Sequence, residues 1–238
     1  MNALIVAAGK GQRINGEDLP KPKPLFTCSG KFLIEHVITR LQKAGVQEIF
    51  IVVGFMKEKI IEALGDGSRY NLKITYIHND EFEKANGLSV YKAKPYLKEP
   101  FILAMSDHIF QQDAVTRFLN AMINQTRCHL YVDLKLDSIS DIDDATKVLQ
   151  ENNAIKAIHK TLTNYNAIDT GMFYLTPAFF AALEQAQSQG DFSITGGVQA
   201  LANKNEMYTF DIGKYRWMDI DTRKELAILE SEYHNYNS

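Results

Sequence analysis

Short, continuous apolar runs alternate with segments of helical periodicity through the first half of the chain. Ala3-Leu4-Ile5-Val6, Ile49-Phe50-Ile51-Val52-Val53 and Phe101-Ile102-Leu103-Ala104-Met105 are unbroken and short, as expected of strands buried on both faces. Between the first two, Phe32, Leu33, Val37, Ile38, Leu41 and Ala44 recur at helical spacing and stop at Gly45, a C-terminal glycine signal. Residues 56–64 return to helix and 72–77 to strand. Strands joined through helices need crossover connections, so the fold class is α/β, with a doubly wound, mostly parallel sheet flanked by helices.

Beyond residue 105 the order is less regular. Helix is expected over 114–123, 177–187, 198–203 and 222–233, and strand over 130–134, 154–159, 172–175, 207–212 and 218–220. No repeat, low-complexity tract or linker-like shift divides the chain, so residues 1–238 read as a single domain. Hydrophobic residues make up 45% of it, enough for a sizeable core. The formal charge of -3 leaves no general basic face, so no nucleic-acid partner is expected and phosphate binding must be local. Cys28 and Cys128 form no CxxC pair and read as free thiols in a reducing compartment. No apolar stretch approaches the ~18 residues needed to span a bilayer, and the first apolar run is too short for a secretory segment. No membrane partner and a cytoplasmic location are expected.

The first strand hands over to Ala7-Ala8-Gly9-Lys10-Gly11-Gln12-Arg13, followed by Lys21-Pro22-Lys23-Pro24-Leu25. Glycines after a strand let backbone N–H groups surround an anion. Lys10, Arg13, Lys21 and Lys23 add positive charge, against only Glu17 and Asp18. Such a loop suits a nucleoside triphosphate; a mobile, solvated turn is the plainer alternative. The dinucleotide fingerprint fails, because Ile14 stands where its third glycine belongs and Pro20, Pro22 and Pro24 oppose a following helix. The P-loop spacing fails as well. The prolines are expected to hold residues 20–24 extended and so to fix the reach of Lys23.

Ligands of open α/β sheets bind outside the carboxyl ends of strands. Asp107 directly follows an apolar strand there, a good position for holding Mg²⁺ on a carboxylate together with phosphate oxygens; capping of the next helix is the alternative. Asp219 and Asp221, spaced i, i+2, would share one face of a strand and suit a cation, or with Thr222 cap the last helix. Asp141-Ile142-Asp143-Asp144 lacks the glycine of a calcium loop and reads as solvated.

Together, Ala7-Ala8-Gly9-x-Gly11-x-Arg13, Pro22-Lys23-Pro24-Leu25, Asp107 and Asp219-x-Asp221-Thr222 resemble the sugar-phosphate nucleotidylyltransferase family, which implies a Rossmann-like sheet. Within it, Asn86-Gly87-x-Ser89, Asp107-His108-Ile109-Phe110, Ala145-Thr146-Lys147, Asp169-Thr170-Gly171-x-Phe173 and Trp217-Met218-Asp219 most resemble the inositol-1-phosphate cytidylyltransferases. Gln12 stands where the family commonly has Thr, and Ser106 where Gly is usual, departures that bear on fine geometry.

The resemblance implies transfer of CMP from CTP to a phosphorylated alcohol, inositol 1-phosphate foremost, with Mg²⁺ on Asp107 and on Asp219 or Asp221. Arg13 would hold the departing pyrophosphate and Lys23 the α-phosphate. Backbone around Ala8, Gly9 and Gly11, with Asn86, Gly87 and Ser89, would hold the nucleotide. Lys147, supported by Lys160, would bind the acceptor phosphate, and Asp169 and Thr170 its hydroxyls. His108 and His159 are not needed as bases, and His108 is placed behind the metal ligands. Phosphocholine or another sugar 1-phosphate is the rival acceptor; a non-catalytic nucleotide sensor is the rival class. The sequence allows a homodimer.

Overall fold

The first apolar run becomes the interior of the molecule. β1 (Asn2–Ala7) sends Ala3, Ile5 and Ala7 into one apolar layer and Leu4 and Val6 into another, because successive side chains of a strand point to opposite faces. The computed structural model describes residues 1–16, 20–139 and 141–236, so Glu17 and Asp18 lie outside the described residues.

From β1 the chain passes through a single helical turn, α1 (Gln12–Asn15), and a small hairpin of β2 (Thr27–Cys28) and β3 (Lys31–Phe32). α2 (Leu33–Lys43) follows; the Glu35 carboxylate accepts from the Phe32 amide at its start, and Gly45, at φ 97°, ends it. Next come β4 (Glu48–Val53), α3 (Lys57–Leu64), β5 (Lys73–His78), α4 (Asn86–Tyr91) and β6 (Phe101–Met105). The remainder is β7 (His108–Phe110), α5 (Gln112–Met122), β8 (Cys128–Asp133), β9 (Lys147–Glu151), β10 (Ala154–His159), β11 (Ala167–Leu175), α6 (Ala178–Ser188), α7 (Ile194–Ala202), β12 (Met207–Asp211), β13 (Trp217–Asp219) and α8 (Arg223–Glu232).

One nine-stranded sheet runs β5-β4-β1-β6-β11-β8-β12-β10-β9. β5, β4, β1 and β6 pair in parallel, Leu4 lying between Phe50 and Leu103. β11 is antiparallel to β6, β8 and β9, and only β12 against β8 restores a parallel pair. The α/β class therefore holds, but the sheet is mixed rather than mostly parallel. β11 lies between β6 and β8 and runs against both, while β9 and β10, joined by residues 152–153 alone, are antiparallel as so short a connection requires.

Helices cover both faces. α2 buries Leu33, Ile34, Val37, Ile38 and Leu41 against the layer holding Ile5 and Ile51. α6 and α7 bury Phe179, Leu183, Val198 and Leu201 against the layer holding Leu4 and Val52. Cys28 and Cys128 are free and buried. Among the described residues no helix is long and apolar enough to cross a membrane.

Two expectations near the first loop are corrected. The prolines do not exclude helix before them, since α1 forms and ends ahead of Pro20. Nor do residues 20–24 all stay extended: Pro22 is extended (φ -57°, ψ 127°), but Lys23–Leu25 form a 3-10 turn, in whose opening turn Pro24 needs no donor.

Candidate active site

The carboxyl ends of β1 and β6 open onto a cavity of about 400 Å³, lined by Gly9, Gly11, Arg13, Lys23, Asn86 and Asp107 among others. Gly11 adopts a left-handed conformation (φ 59°), and a Cβ there would stand 2.6 Å from Lys23 Cβ. Only glycine lets the base of the Lys23 side chain pack so close. Asn15, buried, fastens the loop: its Nδ2 donates to the carbonyls of Gly11 and Lys21, each at 2.9 Å, and its Oδ1 accepts from Lys21 N at 2.8 Å. Sequence reading missed Asn15, whose one signal is an asparagine between the glycines and the prolines.

A second cavity of about 810 Å³ adjoins the first, with Arg13, Asn86, Asp107 and Asp221 common to both. Its wall includes Asp144, Lys160, Asp169, Trp217 and Asp219. The arrangement has room for two ligands that would meet at the residues the cavities share.

Lys23 stands at their junction. Its Nζ lies 2.5 Å from Asp107 Oδ2, 2.6 Å from Asp221 Oδ1 and 3.9 Å from Asp219 Oδ1. Burial opposes its charge, but Asp107, Asp219 and Asp221 together hold the ammonium well above the usual lysine range. Arg13 Nη2 donates to the other Asp221 oxygen at 2.6 Å, and Nη1 to Asp144 Oδ2 at 2.8 Å. Burial works against ionisation of Asp221 too, yet Lys23 and Arg13 keep its carboxyl below the ordinary range.

β7 and β13 form a two-stranded ribbon in which His108 faces Asp219, and Ile220 N donates to the Asp107 carbonyl at 3.2 Å. Backbone pairing thus fixes Asp107 and Asp219 side by side. β13 ends at Asp219, so Asp221 lies beyond the strand, and the two carboxylates reach Lys23 from successive turns of backbone rather than from one strand face. Thr222 does cap α8: its Oγ1 accepts from Lys224 N at 3.2 Å.

His108 Nε2 lies 3.3 Å from Asp219 Oδ1, and Nδ1 bonds the Thr170 carbonyl at 2.7 Å. Burial disfavours its charge, but Asp219, Asp107 and that carbonyl raise its pKa to about 10, which favours a cationic ring. The ring stacks on Trp217 at 5.8 Å. Burial in turn pushes Asp219 up, and its buried Oδ1 has ion-pair contacts with His108 Nε2 at 3.3 Å and Lys23 Nζ at 3.9 Å but no hydrogen bond. One ligand atom from each of Asp107, His108 and Asp219 lies within 4.8 Å of the others. A buried carboxylate oxygen without a hydrogen bond, beside a second carboxylate, fits a hard divalent cation such as Mg²⁺, which Asp107 and Asp219 would hold.

The other anticipated residues divide. Asn86 Oδ1 accepts from Ile194 N at 3.0 Å and Ser89 Oγ from Asn79 at 2.9 Å, and both line the smaller cavity. Gly87 instead permits packing, since a Cβ would stand 2.5 Å from the Phe192 carbonyl. Ala8 is buried, its carbonyl accepting from Phe55 N at 3.0 Å. Asp169 lines the larger cavity; burial lifts its carboxyl to about 6, although the Gly171 amide bonds it at 2.7 Å. Thr170 is wholly buried and donates to the Tyr131 carbonyl at 2.7 Å, and Lys147, also buried, donates to the Asp143 carbonyl at 2.9 Å; neither is among the residues lining the cavities. Asp144 corrects the picture of a solvated acidic loop, because it pairs with Arg13 and with Lys160, the latter at 2.7 Å.

Comparison with known proteins agrees with this geometry. The chain is 31% identical over 225 residues to a bifunctional IPC transferase and DIPP synthase from Aquifex aeolicus, matching 94% of this chain and 50% of that one. It is 28% identical to a bifunctional protein GlmU from Methanococcus maripaludis, over 99% of this chain and 55% of that one. The chain thus spans about half the length of the curated relatives it matches. Among solved structures, the inositol-1-phosphate CTP transferase from T. maritima superposes with a TM-score of 0.83 at 26% identity, covering 100% of this chain and 97% of that one. Residues 3–135 match the model of the MobA-like NTP transferase domain, and the chain belongs to that family.

Proposed function

We propose that this protein is a Mg²⁺-dependent cytidylyltransferase, acting as one nucleotidyltransferase domain over residues 1–238. It would join CTP and a phosphorylated alcohol, inositol 1-phosphate foremost, into a CDP-alcohol and pyrophosphate. The observation that carries the reading is Lys23, whose ammonium bridges Asp107 and Asp221 where the glycine-lined lobe meets the larger one. The names of the similar proteins, an IPC transferase and an inositol-1-phosphate CTP transferase, support cytosine and inositol phosphate as the pair.

In the reaction an oxygen of the acceptor phosphate attacks the α-phosphorus of CTP, the bond to the β-phosphate breaks, and pyrophosphate leaves. The second pKa of a phosphate monoester is about 6, so the acceptor arrives largely ionised and needs no strong base. Positioning and charge compensation do the work. Amides around Gly9 and Gly11 face the triphosphate, and Arg13, with a planar fork of donors, holds the departing pyrophosphate. Lys23 compensates charge at the α-phosphate, and Asp107 and Asp219 seat the cation. Bound there, Mg²⁺ supplies Lewis-acid polarisation of the phosphates.

Asn86 and Ser89 each spend an acceptor on the protein, which leaves the Asn86 amide N–H and the Ser89 hydroxyl to read the cytosine. Lys160 and Asp169 serve the acceptor from the larger lobe, while Lys147 and Thr170 hold its walls in place. The test is pyrophosphate release with each of four nucleoside triphosphates against a panel of phosphorylated alcohols, with and without Mg²⁺. Turnover with CTP and inositol phosphate supports the reading. Turnover with phosphocholine alone would replace the acceptor, and no release with any pair would remove the activity.

A further inference from the structure

Asp144 joins two cations, one lining both lobes and the other the larger lobe. Its Oδ2 accepts from Arg13 Nη1 at 2.8 Å and its Oδ1 from Lys160 Nζ at 2.7 Å. Arg13 lines both cavities, whereas Asp144 and Lys160 line the larger. The three side chains are 52%, 40% and 55% exposed, so these pairs are wet and weakly held. Asp221 keeps the other Nη of Arg13 at 2.6 Å, so the guanidinium stays aimed when Asp144 lets go. Lys160, and after it Arg13, keeps the Asp144 carboxyl below the ordinary range, so it is anionic at neutral pH. A carboxylate bridging two cations presents the charge and oxygen acceptors that a phosphate would present to them.

We infer that Asp144 is an internal anion that occupies Arg13 and Lys160 in the resting site and competes with pyrophosphate for Arg13, making the product easier to lose. The inference rests on the proposed reaction, because it assigns Arg13 to pyrophosphate. Recapture of Arg13 by Asp144 offsets part of the product's affinity, at little energetic cost because the pair is exposed. Lys160 shares the same carboxylate and so moderates its hold on Arg13. Asp144 is thus a positioning residue that need never touch the reacting atoms.

Calorimetric titration with pyrophosphate and Mg²⁺, on the whole folded chain, tests this. Asp144→Asn should bind pyrophosphate about three- to five-fold more tightly than the parent, the scale of one exposed pair, and product inhibition should deepen by the same factor. Asp137→Asn, an exposed neighbour of equal charge, should leave pyrophosphate affinity unchanged. Lys160→Ala should weaken pyrophosphate binding in the parent but not in the Asp144→Asn background. Unchanged or weaker binding by Asp144→Asn would mean that Asp144 only steadies Arg13, and would overturn the inference. A Lys160→Ala effect that persists in the double variant would do the same. If the parent bound neither CTP nor pyrophosphate, the failure would be that of the proposed reaction itself.

Discussion

Lys23 Nζ lies 2.5 Å from Asp107, and the two side chains are only 11% and 18% exposed. A buried cation among carboxylates cannot be removed without leaving their charge uncompensated. Lys23→Met should therefore cost about 3 kcal/mol of stability as well as pyrophosphate release. Because the carboxylates then lack their internal cation, added Mg²⁺ should raise the melting temperature of Lys23→Met more than that of the parent. Equal shifts in a thermal melt would count against a shared seat.

Asp107→Asn keeps the shape of the side chain but removes a charge from the proposed cation seat. Divalent-metal affinity, followed by calorimetry with Mn²⁺ in the absence of nucleotide, should drop at least about tenfold. CTP-dependent pyrophosphate release should drop further, by about a hundredfold or more. Parental metal affinity would place the cation elsewhere.

Gly171 sits at φ 77°, and a Cβ there would be 2.3 Å from His108 Nδ1. Gly171→Ala is strained in its backbone and also drives the imidazole from its place between Asp219 and Trp217. A loss of about 2 kcal/mol in denaturant unfolding is expected. Trp217 is the single tryptophan, so its fluorescence reports the shift directly. An unchanged spectrum would show that His108 had not moved.

His36 gives the stability a pH dependence away from the site. Its Nε2 bonds the Cys28 carbonyl at 2.9 Å and Nδ1 the Tyr233 hydroxyl at 2.9 Å, an arrangement that suits a neutral ring donating at Nε2. Burial lowers its pKa to about 4. The unfolded chain takes up a proton near pH 6.5 and the folded one only near 4, so this stability is present above 6.5 and is lost as pH falls to about 4. The loss amounts to about 3 kcal/mol. Chemical unfolding at pH 7 and pH 4.5 should show a smaller difference in His36→Gln than in the parent.

Legibility from sequence followed the range of the interactions. The runs that became β1, β4 and β6 were visible because a strand buried on both faces needs an unbroken apolar run, and the end of α2 because Gly45 adopts a positive φ that glycine tolerates. α4 and β7 were not, since one is six residues and the other three, too short for periodicity to register. The antiparallel entry of β11 depends on which strands it meets, a long-range fact with no local signature. In the site, Arg13, Lys23, Asp107, Asp219 and Asp221 converge as anticipated. Lys147 and Thr170 turned inward, because their nearest partners are backbone carbonyls. Asp144 escaped notice because an acidic loop looks solvated until its partners, far along the chain, are brought to it.

The β7–β13 ribbon sets an order of events during synthesis. A ribosome emits the glycine loop, Lys23 and Asp107 long before β13, so the second carboxylate of the proposed cation seat arrives only with Asp219. The two carboxylates proposed to seat the cation meet only once β13 has paired with β7, so a chain stopped before residue 217 would keep Asp107 without its partner.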